Sequence, residues 1–161
     1  MNVKILIMCI YTAVGTLSGY LTMRSYKRSY VYLDGVCSLI NELKRNIAYR
    51  RDSAASILQG FKTSSPLLKK HIEEYIAFAG SKDGEPSISR GTLPQSTYEK
   101  VKHLFFALGR SDGDGQISEL ELFGSEFTEL RDKSANKSEK YGPLAVKLGF
   151  LFGLGVGILF L

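Results

Sequence analysis

Two apolar runs bracket a middle in which apolar residues recur at helical spacing. The first, residues 5–23, reads ILIMCIYTAVGTLSGYLTM and carries no charge. At about 1.5 Å of rise per residue, a helix of this length nearly crosses a hydrocarbon layer of roughly 30 Å. Its Thr, Ser, Tyr and Gly are tolerable there because a helix bonds its own backbone. The second, residues 144–161, reads LAVKLGFLFGLGVGILFL with Lys147 as its one charge. It is long enough to span if Lys147 lies near the cytoplasmic face and snorkels back. Hydropathy thus predicts transmembrane helices over 3–23 and 144–161 and a polar body over 24–143.

Within the body, Val36, Leu39, Ile40, Leu43 and Ile47 recur at spacings of three and four, one apolar helical stripe. No Pro separates this stretch from the first run, so one helix can continue through both. Asp52 or Ser53 restarts a helix carrying Ala54, Ile57, Leu58 and Phe61. Ser65 before Pro66 caps a third, with Leu67, Leu68, His71, Ile72, Tyr75, Ile76 and Phe78-Ala79 along it and Gly80 as its stop. Residues 81–94 hold Gly84, Pro86, Gly91 and Pro94 and read as a loop with one short turn around 87–93. Gln95 or Ser96 opens a fourth helix with Tyr98, Val101, Leu104, Phe105 and Leu108 on one face, closed by Gly109. A last helix over 114–140 carries Ile117, Leu120, Phe123, Phe127 and Leu130, and Tyr141-Gly142-Pro143 is expected to break it. No alternating strand pattern appears. The prediction is all-α: an antiparallel bundle of five or six helices between two membrane helices.

Charge sets the topology. Arg24, Lys27 and Arg28 follow the first run, and only Lys4 precedes it. The positive-inside rule places the body in the cytoplasm, and Lys147 marks the cytoplasmic entry of the second span. A cleaved signal peptide is disfavoured by the length of the run, the lack of a small-x-small site and the basic cluster on its far side. Of 21 basic residues only Lys4 and Lys147 lie outside 24–143, which leaves 19 there against all 16 acids. That mixed surface is no nucleic-acid patch. Cys9 and Cys37 fall in different compartments, so no disulfide between them is expected.

Gly149, Gly153 and Gly157 lie at i, i+4 and i+8, and Gly15 and Gly19 repeat the spacing in the first run. Such faces let helix backbones approach closely in lipid. They are read as packing the two spans together or joining several protomers as a homo-oligomer.

The stretch 108–116, LGRSDGDGQ, resembles a calcium loop only superficially. Counted from Asp112, position 6 is Ile117 rather than Gly, and position 12 is Phe123 rather than Glu. It reads as a helix-to-helix corner or a docking surface, with no metal. His71 and His103 are isolated and read as surface or core-edge residues. The acid pairs Glu73-Glu74 and Glu119/Glu121 read as solvated faces, and the basic run Lys44-Arg45 with Arg50-Arg51 as a solvated face or a membrane-proximal patch. No catalytic set, ligand spacing or phosphate loop is visible, so no catalytic residue and no cofactor is assigned.

With these residues in place, the chain resembles the stage III sporulation protein AB family of endospore-forming bacteria over nearly its whole length. The carriers are Arg24, the helix LINELKRNIAYR over 39–50, the corner LGRSDGDGQ and the ending KYGPLAVKLGFLFGLGVGILFL over 140–161. Residues 53–58 depart from the Thr-Pro-Leu run the family tends to have there. The family is similar in its bundle to the F-type platform proteins of type II secretion and type IV pilus systems. The resemblance implies a non-enzymatic component of a channel between mother cell and forespore, in the mother-cell membrane around the forespore. It implies a hexameric secretion-type ATPase and other membrane components of the channel as partners. Gly109, Arg110, Ser111, Asp112 and Gln116 would be the family corner, with structural or partner-contact roles. A membrane-tethered enzyme or sensor with a pocket between bundle helices is the alternative, and it would need His71, His103, Asp112 and Asp114 on one concave surface.

Overall fold

The computed structural model describes residues 2–50, 53–81, 86–108 and 113–159. They form five helices and, among the described residues, no strand: α1 (Asn2–Arg50), α2 (Ala54–Gly60), α3 (Pro66–Ser81), α4 (Gln95–Ala107) and α5 (Gly113–Leu159). The chain divides into two compact units, Met1–Tyr30 with Asp132–Leu161, and Val31–Arg131. α1 and α5 each contribute to both.

α1 is one helix of 49 residues, as the absence of Pro allows. α5 runs 47 residues straight through Pro143, which corrects the expected break at Tyr141-Gly142-Pro143. Pro143 removes a single donor from the ladder. The helix persists because its flanks are packed. A Cβ on Gly142 would lie 3.1 Å from Met23 Cγ, and Ala145 lies against Gly19. A lipid surround also penalises any wider opening of the backbone.

In the unit formed by the two chain ends, large apolar side chains point outward: Val14 is 60% exposed, Leu17 58% and Phe152 74%. Both long helices are long and apolar enough to cross a membrane, and only 6% and 17% of their most apolar windows are buried. A soluble core helix would bury most of that surface, whereas lipid accepts it. The threonine hydroxyls there turn back on their own helix, Thr12 to the Met8 carbonyl at 2.9 Å and Thr16 to the Thr12 carbonyl at 2.7 Å.

In the other unit, the stripes close on one core. Val36, Leu39, Ile40 and Leu43 of α1 meet Leu58, Leu68, Leu104, Phe105, Leu120 and Phe127, all at most 1% exposed. Burial of each such side chain contributes about 1.5–3 kcal/mol. The caps follow the sequence. Ser53 Oγ accepts from Ser56 N at 3.3 Å, and Ser65 Oγ from Leu68 N at 3.4 Å. α4 opens at Gln95 with no side-chain cap, the Pro94 carbonyl taking the first bonds. It ends at Ala107, with Leu108 extended; Gly109 lies outside the described residues. Within residues 86–94, Gly91 makes the turn at φ +57, and a Cβ there would also meet Leu67 Cδ1 at 2.5 Å. Lys44 pairs with Glu121 at 3.1 Å and Lys100 with Glu126 at 2.6 Å, tying α5 to α1 and α4.

Candidate functional site

Two arrangements stand out, one in each unit. The first is the crossing of α1 and α5, where glycine replaces side chains. A Cβ on Gly15 would lie 2.3 Å from the Gly149 carbonyl oxygen, and one on Gly149 would lie 2.3 Å from that of Gly15. A Cβ on Gly19 would lie 2.4 Å from the Ala145 carbonyl oxygen and one on Gly153 2.6 Å from that of Tyr11, and Gly157 lies against Met8. Met8 and Gly157, Thr12 and Gly153, and Met23 and Gly142 are facing pairs whose numbers each add to 165. The two segments are therefore antiparallel in constant register, and all five glycines lie on the face between them within one chain. Contact this close gains dispersion and brings backbone carbonyls against the facing helix, the attraction available where lipid offers no hydrophobic drive. Gly155 is off this face, with nothing within 4 Å of its Cβ position.

The second is a buried polar chain in the core. Tyr32 of α1 and His71 of α3 are 2% and 0% exposed. His71 Nε2 lies 2.8 Å from the Ser89 carbonyl, which can only accept, so Nε2 carries the hydrogen. Nδ1 is then the acceptor, and Tyr32 Oη donates to it at 2.9 Å. Ser89 N–H donates to Glu74 Oε2 at 2.8 Å, so His71 and Glu74, one turn apart on α3, grip both faces of one peptide residue. Tyr98 Oη donates to the Ile88 carbonyl at 3.0 Å, and Tyr75 Oη to that of Leu108 at 3.0 Å. Burial pushes the His71 imidazolium down and keeps the ring neutral, against smaller opposing effects of the Ser89 carbonyl and Glu74. Burial, the largest single effect, would raise Glu74; hydrogen bonding from Ser89 and the smaller charge effects of His71 and Lys70 together outweigh it and leave the carboxyl below its ordinary value. Burial raises the Tyr32 and Tyr75 phenols.

This corrects two expectations. His71 is no surface or edge residue: both ring nitrogens are bonded inside the core, against Tyr32 and Phe105. Glu74 is no freely solvated acid, because it holds Ser89. The sequence pointed to neither, since the partners lie 39 and 18 residues from His71. His103 is exposed and lies edge-on to Phe123, so the two histidines share no surface.

Of the corner residues, Gly109, Arg110, Ser111 and Asp112 lie outside the described residues. Gln116 is 8% exposed, and its Nε2 has no hydrogen-bond partner among the described residues. Arg24, Lys27, Arg28 and Lys147 are all exposed. Cys9 is exposed and Cys37 buried, and neither is in a disulfide among the described residues. Among the described residues, no three His, Cys, Asp or Glu side chains are grouped to hold a metal.

No curated protein and no solved structure matches the chain. A family model described as stage III sporulation protein AB matches residues 4–161. With all but its first three residues inside that match, the chain belongs to the stage III sporulation protein AB family.

Proposed function

We propose that this chain is a non-enzymatic scaffold of the sporulation channel between mother cell and forespore. Its helical bundle faces the mother-cell cytoplasm from the membrane around the forespore, and it receives a secretion-type ATPase there. The observation that carries this reading is the continuity of α1 and α5, each running unbroken from an apolar membrane segment into the packed bundle. A load applied by an ATPase to the bundle would pass into the membrane segments along intact helix backbone. The glycine crossing would let both segments respond together, because backbones in contact have no long side chains to take up slack. The polar residues of the bundle support a structural role: His71 and Glu74 are engaged in bracing residues 86–94.

The test is affinity purification of the full-length, detergent-solubilised chain with the cognate ATPase. Co-elution of the ATPase that survives washing is the expected result. Its absence, with the scaffold intact by size-exclusion chromatography, would overturn the reading.

A further inference from the structure

The chain's net charge is not spread over it. The constant register of the two-helix unit brings residues 24–28 of α1 level with residues 137–141 of α5, since Met23 lies beside Gly142. That slice is about 6 Å tall, at 1.5 Å of rise per residue. It holds Arg24, Lys27, Arg28, Lys137 and Lys140 against one acid, Glu139. Lys147 lies less than two turns further along α5 and is long enough to reach back towards it. All six cations are exposed. None of them forms an ion pair among the described residues, although Lys44, Arg45, Lys69, Lys70 and Lys100 elsewhere all do. Of the chain's 21 basic and 16 acidic residues, these account for six and one, which leaves 15 of each in the rest. The whole net charge of +5 therefore sits in one collar where the two apolar segments end.

The collar needs counter-charge. Topology alone would be served by the cluster after the first span. It does not require cations at the same level on the second helix, nor their lack of partners. The ends of two apolar segments lie at the headgroup level of a bilayer, where Tyr20 and Tyr141, 46% and 54% exposed, also flank the collar as interfacial aromatics do. A headgroup phosphate within a Debye length of about 8–10 Å of a collar cation still feels its charge. We propose that this collar is a binding site for anionic phospholipid headgroups, gathering a shell of them around the base of the hairpin. Clustered lysine and arginine directly beside a span is the pattern that recruits such lipids. The proposal is independent of any ATPase.

The test uses the full-length chain reconstituted from detergent into nanodiscs of phosphatidylcholine and phosphatidylglycerol, each lipid spin-labelled in turn. Electron paramagnetic resonance then reads the relative association of each lipid with the protein boundary. Phosphatidylglycerol is expected to be preferred by about threefold or more at low salt, with the preference falling as salt rises. A fivefold variant, Arg24→Gln, Lys27→Gln, Arg28→Gln, Lys137→Gln and Lys140→Gln, is expected to abolish it. A charge-keeping variant that exchanges Lys and Arg at the same five positions is expected to retain it, which separates charge from damage to the fold. Equal association of the two lipids with the unmodified chain would overturn the proposal. A preference that survives both salt and the glutamine variant would overturn it equally.

Discussion

Tyr32 Oη donates to His71 Nδ1 across 2.9 Å, joining α1 to α3 inside the apolar core. The Ser89 carbonyl keeps the hydrogen on Nε2, and the Tyr32 phenol supplies the donor that the buried Nδ1 then needs. Tyr32→Phe would keep the ring and its packing while leaving Nδ1 buried without a donor. The expected cost is about 1–3 kcal/mol of stability, the penalty of an unpaired buried acceptor. Thermal unfolding of the full-length protein in detergent would read it, and an unchanged midpoint would show that the bond contributes nothing net.

The same histidine sets a pH dependence. Its folded-state pKa is depressed below the ordinary 6.5, chiefly by burial. The unfolded chain therefore takes up a proton that the folded chain resists. The contribution of neutral His71 is fully present above pH 6.5 and is lost as pH falls from there towards the depressed value. Glu74 acts in a separate, lower window. Its pKa lies below the ordinary 4.5, so its contribution is present above 4.5 and lost only further down. Melting temperatures between pH 7 and 5 should fall in the unmodified chain and stay flatter in His71→Gln. Parallel curves for the two proteins would assign the pH dependence to other groups.

These residues also mark what a sequence can and cannot disclose. Val36, Leu39, Ile40, Leu43 and Ile47 announce their helix because spacing alone puts them on one face, and all five are buried. Ser53, and Ser65 before Pro66, announce the starts of α2 and α3 because capping is local chemistry. His71 announces nothing, because its partners come from α1 and from the segment after α3. The continuity of α5 through Pro143 was hidden for a related reason. The local rule for proline is to break, and what opposes it is Met23 and Gly19 on the facing helix. Glycine spacing was visible, but the register of 165 that says which glycine meets which backbone required both helices in place.

That register makes a sharp mutational contrast. A methyl on Gly15 or Gly149 would press within 2.3 Å of a carbonyl oxygen on the facing helix, and backbone cannot rotate away as a side chain can. Gly15→Ala and Gly149→Ala should each force the segments apart, at a cost of about 1–3 kcal/mol by analogy with overpacked cores. Gly155→Ala meets nothing within 4 Å and should be neutral or slightly helix-favouring. Spin labels placed on the two segments would report a wider separation in the first two variants and none in the third. Equal behaviour of all three would refute the crossing.

Gln116 offers a way to divide stability from docking. Its side chain is 8% exposed and its Nε2 lacks a partner among the described residues, near the start of α5. An unpaired buried amide costs about 1–3 kcal/mol, so a chain under selection for stability alone gains by replacing it. Gln116→Met keeps length and near-equal volume without the polar group, and the thermal midpoint should hold or rise. If the corner receives the ATPase, the same substitution should weaken co-purification, because a polar group kept at a cost to the free protein is best accounted for by a bond made in the complex. Binding lost with stability retained would place Gln116 in the docking surface. A drop of more than about 1 kcal/mol would instead identify it as a structural brace, since removing a satisfied buried bond costs that much. Unchanged binding in a stable variant would take Gln116 out of the interface.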